Sequence, residues 1–144
     1  MSSNDLVLLD NALAAAQGAR AAPVADDVAF ELFACEQLLK AYDLSPDDIE
    51  AGRVGGGQDG AIDGVYVFFG DKLLAEDDEL LSDQSSPSSF PRSQTLTLWL
   101  VQAKRTPSFT ETAIDLAASS LRRLLDLRID EAELLSLYSP EVVH

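Results

Sequence analysis

Apolar residues recur along this chain in two rhythms, and the change of rhythm divides it into elements. From about Asn4 to Gln17 a Leu- and Ala-rich amphipathic stretch predicts a helix that stops at Gly18, with Ala21–Pro23 as a linker. Val28, Leu32, Cys35, Leu39 and Tyr42 then repeat at spacings of four and three, the helical period, and Asp26 or Asp27 can cap that helix. Asp43–Asp48, containing Ser45-Pro46, should end it. Ile49–Val54 reads as a short strand, Ala61–Phe69 as a β-branched and aromatic second strand, and Thr95–Lys104 as a third. Gly70–Ser93, polar and acidic with Ser85-Ser86-Pro87-Ser88-Ser89 at its centre, is expected to be a long exposed loop whose charge solvates it. Ser108 and Glu111 form a capping box for a helix whose stripe is Ile114, Ala117, Leu121, Leu124 and Leu125. Arg122 and Arg123 lie off that stripe, on a solvated face, and Ile129–His144 reads as a weak helix and a tail.

The order helix, helix, short strand, strand, strand, helix predicts an α/β or α+β chain containing an antiparallel hairpin. Its 144 residues suit one domain, which we divide into an N-terminal helix and linker (residues 1–22) and a main unit (residues 23–144). No apolar run approaches the ~18 residues of a membrane span, so no membrane association is expected. Met1–Asp10 carries no positive charge and only the Leu6–Leu9 apolar run, which argues against a secretory signal and for a cytoplasmic protein. Cys35 is the single cysteine, which excludes an internal disulfide and a cysteine zinc cage, and it is read as a small buried hydrophobe. Twenty-five acidic against ten basic residues give a formal net charge of −15. That balance repels a phosphate backbone, so a nucleic-acid partner requires a local basic site, a bound divalent metal, or basic segments on another chain or domain.

Alternation along the strands brings out the candidate chemistry. Side chains two apart share a strand face, so Leu96, Leu98, Leu100, Gln102 and Lys104 lie together, with the apolar members expected to be buried. Asp63 shares a face with Val65, Val67 and Phe69. Antiparallel pairing then sets Asp63 beside Gln102 and Lys104. The Asp63 carboxylate, the Gln102 amide oxygen and the Ala103 carbonyl make an all-oxygen set suited to Mg²⁺ or Mn²⁺, with Lys104 placed to orient water or stabilise negative charge. A structural Asp63–Lys104 ion pair, with Gln102 filling a hydrogen bond, satisfies the same spacing.

Gly55-Gly56-Gly57-Gln58-Asp59-Gly60-Ala61-Ile62-Asp63-Gly64, followed by Val101-Gln102-Ala103-Lys104, resembles the motif of the PD-(D/E)xK nucleases. It is most similar to the Mrr-type restriction group with the Q-x-K variant, and to the nuclease-like N-terminal region of the abortive-infection phage-resistance (AIPR) proteins. The similarity begins at Ala29-Phe30-Glu31-Leu32-Phe33-Ala34-Cys35-Glu36-Gln37-Leu38-Leu39-Lys40 and covers about residues 26–127. The resemblance implies a restriction-endonuclease-like αβββα core, a small mixed sheet flanked by helices, with the N-terminal helix as an addition. It implies a Mg²⁺-dependent DNA endonuclease of restriction or anti-phage defence in which Asp63 binds metal, Gln102 stands where many relatives have Glu, and Lys104 is the motif lysine. A helix carboxylate often joins such sites; Glu31 and Glu36 both match, with Glu36 favoured, and Asp59 either approaches the site or stabilises its turn. The family core continues with a further strand, which only Leu134–Val143 is left to supply. A homodimer or an additional C-terminal domain would complete such a protein. The competing expectations are a nuclease fold serving as a non-catalytic interaction module, and an acidic domain binding a protein through its Leu-rich N-terminal helix.

Overall fold

Leu32, Cys35 and Leu39 come round to one side of helix α2 (Asp26–Leu39) and are buried there. The computed structural model, which describes residues 3–54, 60–75, 78–82, 85, 86, 88, 90–105 and 111–143, sets this side against Ile49, Tyr66, Phe68 and Val101 to form the core. Val28 and Tyr42 pack at its margin, as the helical spacing predicts. The Tyr42 ring stacks on Phe68 with centroids 3.9 Å apart, and its hydroxyl accepts from Trp99 Nε1 at 3.3 Å. Aspartate does not cap α2: Ala25 holds the N-cap position without a side-chain bond, and Asp26 and Asp27 occupy the first turn, where the helix dipole favours them.

Helix α1 (Ser3–Ala19) runs through Gly18 rather than stopping at it. It is tied to the rest of the chain by buried Leu13, by Gln17 Nε2 donating to the Val24 carbonyl at 2.8 Å, and by two ion pairs, Arg20–Glu36 and Arg105–Asp10. Residues 49–51, expected in a short strand, instead belong to helix α3 (Pro46–Ala51). The cause is local: Ser45 and Asp48 form a reciprocal capping box with Pro46 at the first helical position, so the signal that ends α2 also starts a new helix. Only Arg53 keeps strand character, as a bridge to Gly64.

Among the described residues three strands make one sheet in the order β2-β1-β3: β1 (Gly64–Phe69), β2 (Lys72–Leu73) and β3 (Leu96–Val101). All its pairings are antiparallel, which corrects the expected mixed sheet. Strand β2 and a 3₁₀ turn at Glu79–Leu81 fall within what the sequence presented as an unstructured loop. The β1–β2 hairpin turns on Gly70-Asp71, with Gly70 at φ 63°, a conformation glycine adopts without strain.

Register decides which side of β3 is buried. Gly64 pairs with Val101, Tyr66 with Trp99 and Phe68 with Thr97, so the inward side chains of β1 draw these partners inward. Leu96 and Leu98 consequently face out, 63% and 42% exposed, which overturns the expectation that their face is the core face. Both faces of Leu-Thr-Leu-Trp-Leu-Val are apolar, and alternation alone cannot rank them.

Helix α4 (Glu111–Leu124) buries Ala113 and Ser120, while Ile114 and Leu125 of the expected stripe stay exposed. Ser108 of its expected capping box lies outside the described residues. Helices α5 (Glu131–Leu137) and α6 (Pro140–Val143) follow, so Leu134–Val143 supplies no further strand. Asp130 starts this segment as an N-cap, its side chain accepting from the Glu133 amide at 2.8 Å, and buried Tyr138 fastens it. No helix among the described residues is long and apolar enough to cross a membrane.

Candidate functional site

Two successive left-handed residues deliver Asp63 to its place. Gly60 and Ala61 have φ of 65° and 67°. Gly60 lies tight under α4: a Cβ there would meet Ser120 Oγ at 2.5 Å, and that hydroxyl donates to the Gly60 carbonyl at 3.0 Å. Ile62, 1% exposed, then anchors the chain in the interior, and Asp63 follows at the mouth of β1. The residues preceding this turn, Gly55 to Asp59, lie outside the described residues, and with them the proposed roles of the glycine run and of Asp59.

Asp63 is held at three points, two of them at the end of β3. Its amide donates to the Val101 carbonyl at 2.8 Å, its Oδ2 accepts from the Ala103 amide at 2.6 Å, and its own carbonyl accepts from the Val54 amide at 3.2 Å. The first two bonds straddle Gln102 in the sequence, and the regular pairing of β1 with β3 ends at Gly64–Val101. Gln102 is half-buried and Lys104 exposed. Asp63, Gln102 and Ala103 are thus brought together at one end of the sheet, and Lys104 follows immediately. The carboxylate engages the amide of Ala103. Among the described residues no ion pair joins Lys104 to Asp63: the cations paired with carboxylates are Arg20, Arg53, Lys72, Arg105 and Arg128.

Helix α2 brings two more carboxylates toward this end, each already held by an arginine. Arg53 Nε donates to Glu31 Oε2 at 2.6 Å, and Arg20 Nη2 to Glu36 Oε1 at 2.7 Å. Arg53 is also the residue bridged to Gly64, so the Glu31 pair borders the start of β1 directly, whereas Glu36 is turned to the end of α1. Cys35 sits between them, fully buried, and the Cβ of any residue replacing Gly64 would lie 3.1 Å from its sulfur. Burial raises the Cys35 pKa above its ordinary value; a hydrogen bond with Tyr66 acts the other way, and Asp63, Glu31 and Glu36 raise it further. Tyr66, whose hydroxyl donates to the Ile49 carbonyl at 2.8 Å, is raised too, again chiefly by burial.

Arg20 and Arg53 did not figure in the sequence reading. Arg53 did carry a signal: it is the only basic residue between Lys40 and Lys72, in a segment rich in Asp and Glu. As a metal site the cluster offers hard oxygen donors, which fits Mg²⁺ or Mn²⁺ in kind, but two of its described carboxylates, Glu31 and Glu36, are each held by an arginine. Among the described residues no three His, Cys, Asp or Glu side chains stand together as a metal cage. A separate groove of about 690 Å³ opens beside Val65 and Val67, lined also by Val54, Leu73, Leu74 and Pro140, and does not include Asp63, Gln102 or Lys104.

No protein-family model matches this chain, and neither does any curated protein or solved structure.

Proposed function

We propose that this chain is a metal-dependent endonuclease domain that hydrolyses phosphodiester bonds of DNA, in restriction or anti-phage defence, within the cytoplasm. The observation that carries the reading is the convergence of Asp63 on residues 101–103, which sets a carboxylate, an amide side chain and a lysine at one end of the sheet. In this reading Asp63 and Gln102, with the carbonyl of Ala103, hold Mg²⁺ or Mn²⁺. The ion, when bound, supplies polarisation of the scissile phosphate and a more acidic water. The Ala103 amide fixes one carboxylate oxygen of Asp63, so the side chain needs little reorganisation to act as a ligand. Lys104, exposed and without a carboxylate partner among the described residues, donates to a phosphate oxygen as negative charge develops there. The net charge of −15 requires that grip on DNA come from the metal, and from a basic partner chain or further domain.

One observation favours a second reading, a nuclease fold used as a non-catalytic interaction module. Both helix carboxylates, Glu31 and Glu36, are occupied by arginine and so are not offered to a metal. Incubation of supercoiled plasmid with Mg²⁺ or Mn²⁺ decides between them. The nuclease reading requires nicking by the wild type and its loss in a folded Lys104→Ala variant. A folded wild type that binds Mn²⁺ yet leaves the plasmid intact sinks it and leaves the module.

A further inference from the structure

Strand β1 pairs with β3 along one flank for its whole length. Its other flank is covered in two pieces, by Gly52 and Arg53 at one end and by β2 and Leu74 at the other. The Val65 amide donates to the Gly52 carbonyl at 2.8 Å, and the Val67 carbonyl accepts from the Leu74 amide at 2.8 Å. A strand residue turns its N–H and its C=O to the same side. The Val65 carbonyl and the Val67 amide therefore face this flank as well, between the two pieces. Among the described residues no hydrogen bond reaches either of them. One acceptor and one donor stand open together, within two residues or roughly 7 Å of strand.

The groove of about 690 Å³ opens over this gap. Val65, Tyr66 and Val67 line it, with Gly52 and Leu74 on either side of them. Most of the remaining wall is apolar, and the volume is that of a small-molecule site. A peptide cannot lie along β1 here as a strand, because Gly52 and Leu74 already hold the bonds on both sides and leave room for a single pair. Charge narrows the occupant further. The two charged side chains at the groove are engaged, Arg53 with Glu31 and Asp48 with Ser45, and the net charge of −15 repels a phosphate. The ligand that fits is small, uncharged, apolar on its faces, and carries a donor next to an acceptor on one edge.

We propose that this groove binds an adenine nucleoside, with the base edge-on to β1. The N6 amino group donates to the Val65 carbonyl and N1 accepts from the Val67 amide, the two bonds that one residue of a parallel strand would make there. Proteins read an unstacked base by this combination of edge hydrogen bonds and apolar walls on the ring faces. The edge also selects among bases. Adenine presents that donor, that acceptor, and then a C–H. Guanine, cytosine and uracil each carry a third polar group on the same edge, and the gap holds no third open group to meet it. The assignment does not depend on the nuclease reading.

Calorimetric titration of the whole chain with adenosine tests the binding, and amide hydrogen exchange tests the placement. The expected result is saturable binding, with the Val67 amide gaining protection as the site fills. N6,N6-dimethyladenosine, which lacks the donor, and 1-deazaadenosine, which lacks the acceptor, should each bind roughly tenfold more weakly or worse, and so should guanosine. Ala75→Trp, at an exposed position on the groove wall, should weaken binding by a similar factor while leaving the far-ultraviolet spectrum unchanged. Adenosine 5′-monophosphate should bind no more tightly than adenosine. Absence of saturable binding up to the solubility of adenosine overturns the proposal. So does undiminished affinity for either altered base, for guanosine or in the folded Trp variant, a Val67 amide that stays unprotected, or a tighter complex with the monophosphate.

Discussion

Asp63 Oδ2 accepts a hydrogen bond of 2.6 Å from the amide of Ala103, a residue 40 positions further along the chain. This contact ties the start of β1 to the segment leaving β3 and fixes the orientation of the Asp63 carboxylate. It makes Asp63 structural whatever its chemistry, and the two roles separate on substitution.

Asp63→Ala leaves the Ala103 amide without its partner in a half-buried setting and should cost about 1–3 kcal/mol in urea unfolding. Asp63→Asn keeps an acceptor oxygen and should cost less than half as much, while removing the anionic metal ligand. Loss of plasmid nicking in the Asn variant at near wild-type stability would assign the carboxylate to chemistry. Equal destabilisation by both variants would contradict the hydrogen-bond account.

The two arginine–glutamate pairs should differ in weight. Arg53→Ala strands Glu31, whose side chain is 18% exposed, and should cost about 2 kcal/mol, whereas Arg20→Ala frees Glu36, 30% exposed and at the end of α1, and should cost about 1 kcal/mol. Double-mutant cycles with Glu31→Gln and Glu36→Gln measure both couplings, and a reversed order would count against this placement.

Ala61 holds a left-handed conformation that its Cβ disfavours. Ala61→Gly should therefore be neutral or stabilising by up to about 1 kcal/mol, and Gly60→Ala strongly destabilising, because its Cβ would collide with Ser120 and Tyr138. Thermal melts of the two variants moving in the same direction would refute the turn geometry.

Cys35 gives the fold an alkaline limit. Burial first, then the neighbouring carboxylates, holds its pKa above the ordinary 9.0, so the folded chain keeps a proton that the unfolded chain releases. Stability from this group is complete below about 9 and falls as pH rises beyond it. Unfolding free energy measured across this range should decline less steeply in Cys35→Ala than in the wild type. Below the transition, iodoacetamide should label the thiol only as fast as the protein opens.

Local chemistry alone was enough to locate helix α2, with its period of Leu32, Cys35 and Leu39, and the two strands that flank Asp63 and Gln102, because spacing is a property of the chain. The antiparallel pairing expected of those two strands is also the one observed. Local chemistry misassigned residues 49–51 by reading Ser45-Pro46 only as a stop, when the same residues cap a new helix. What the tertiary structure alone decided was direction. Both faces of β3 are apolar, and only the register with Gly64, Tyr66 and Phe68 put Trp99 and Val101 inside and left Leu96 and Leu98 out. Glu31 and Glu36 are equivalent by helical spacing, and only the positions of Arg53 beside β1 and Arg20 after α1 gave each its partner. Periodicity says which side chains share a face; which face is covered, and by whose charge, depends on segments distant in the sequence meeting in space.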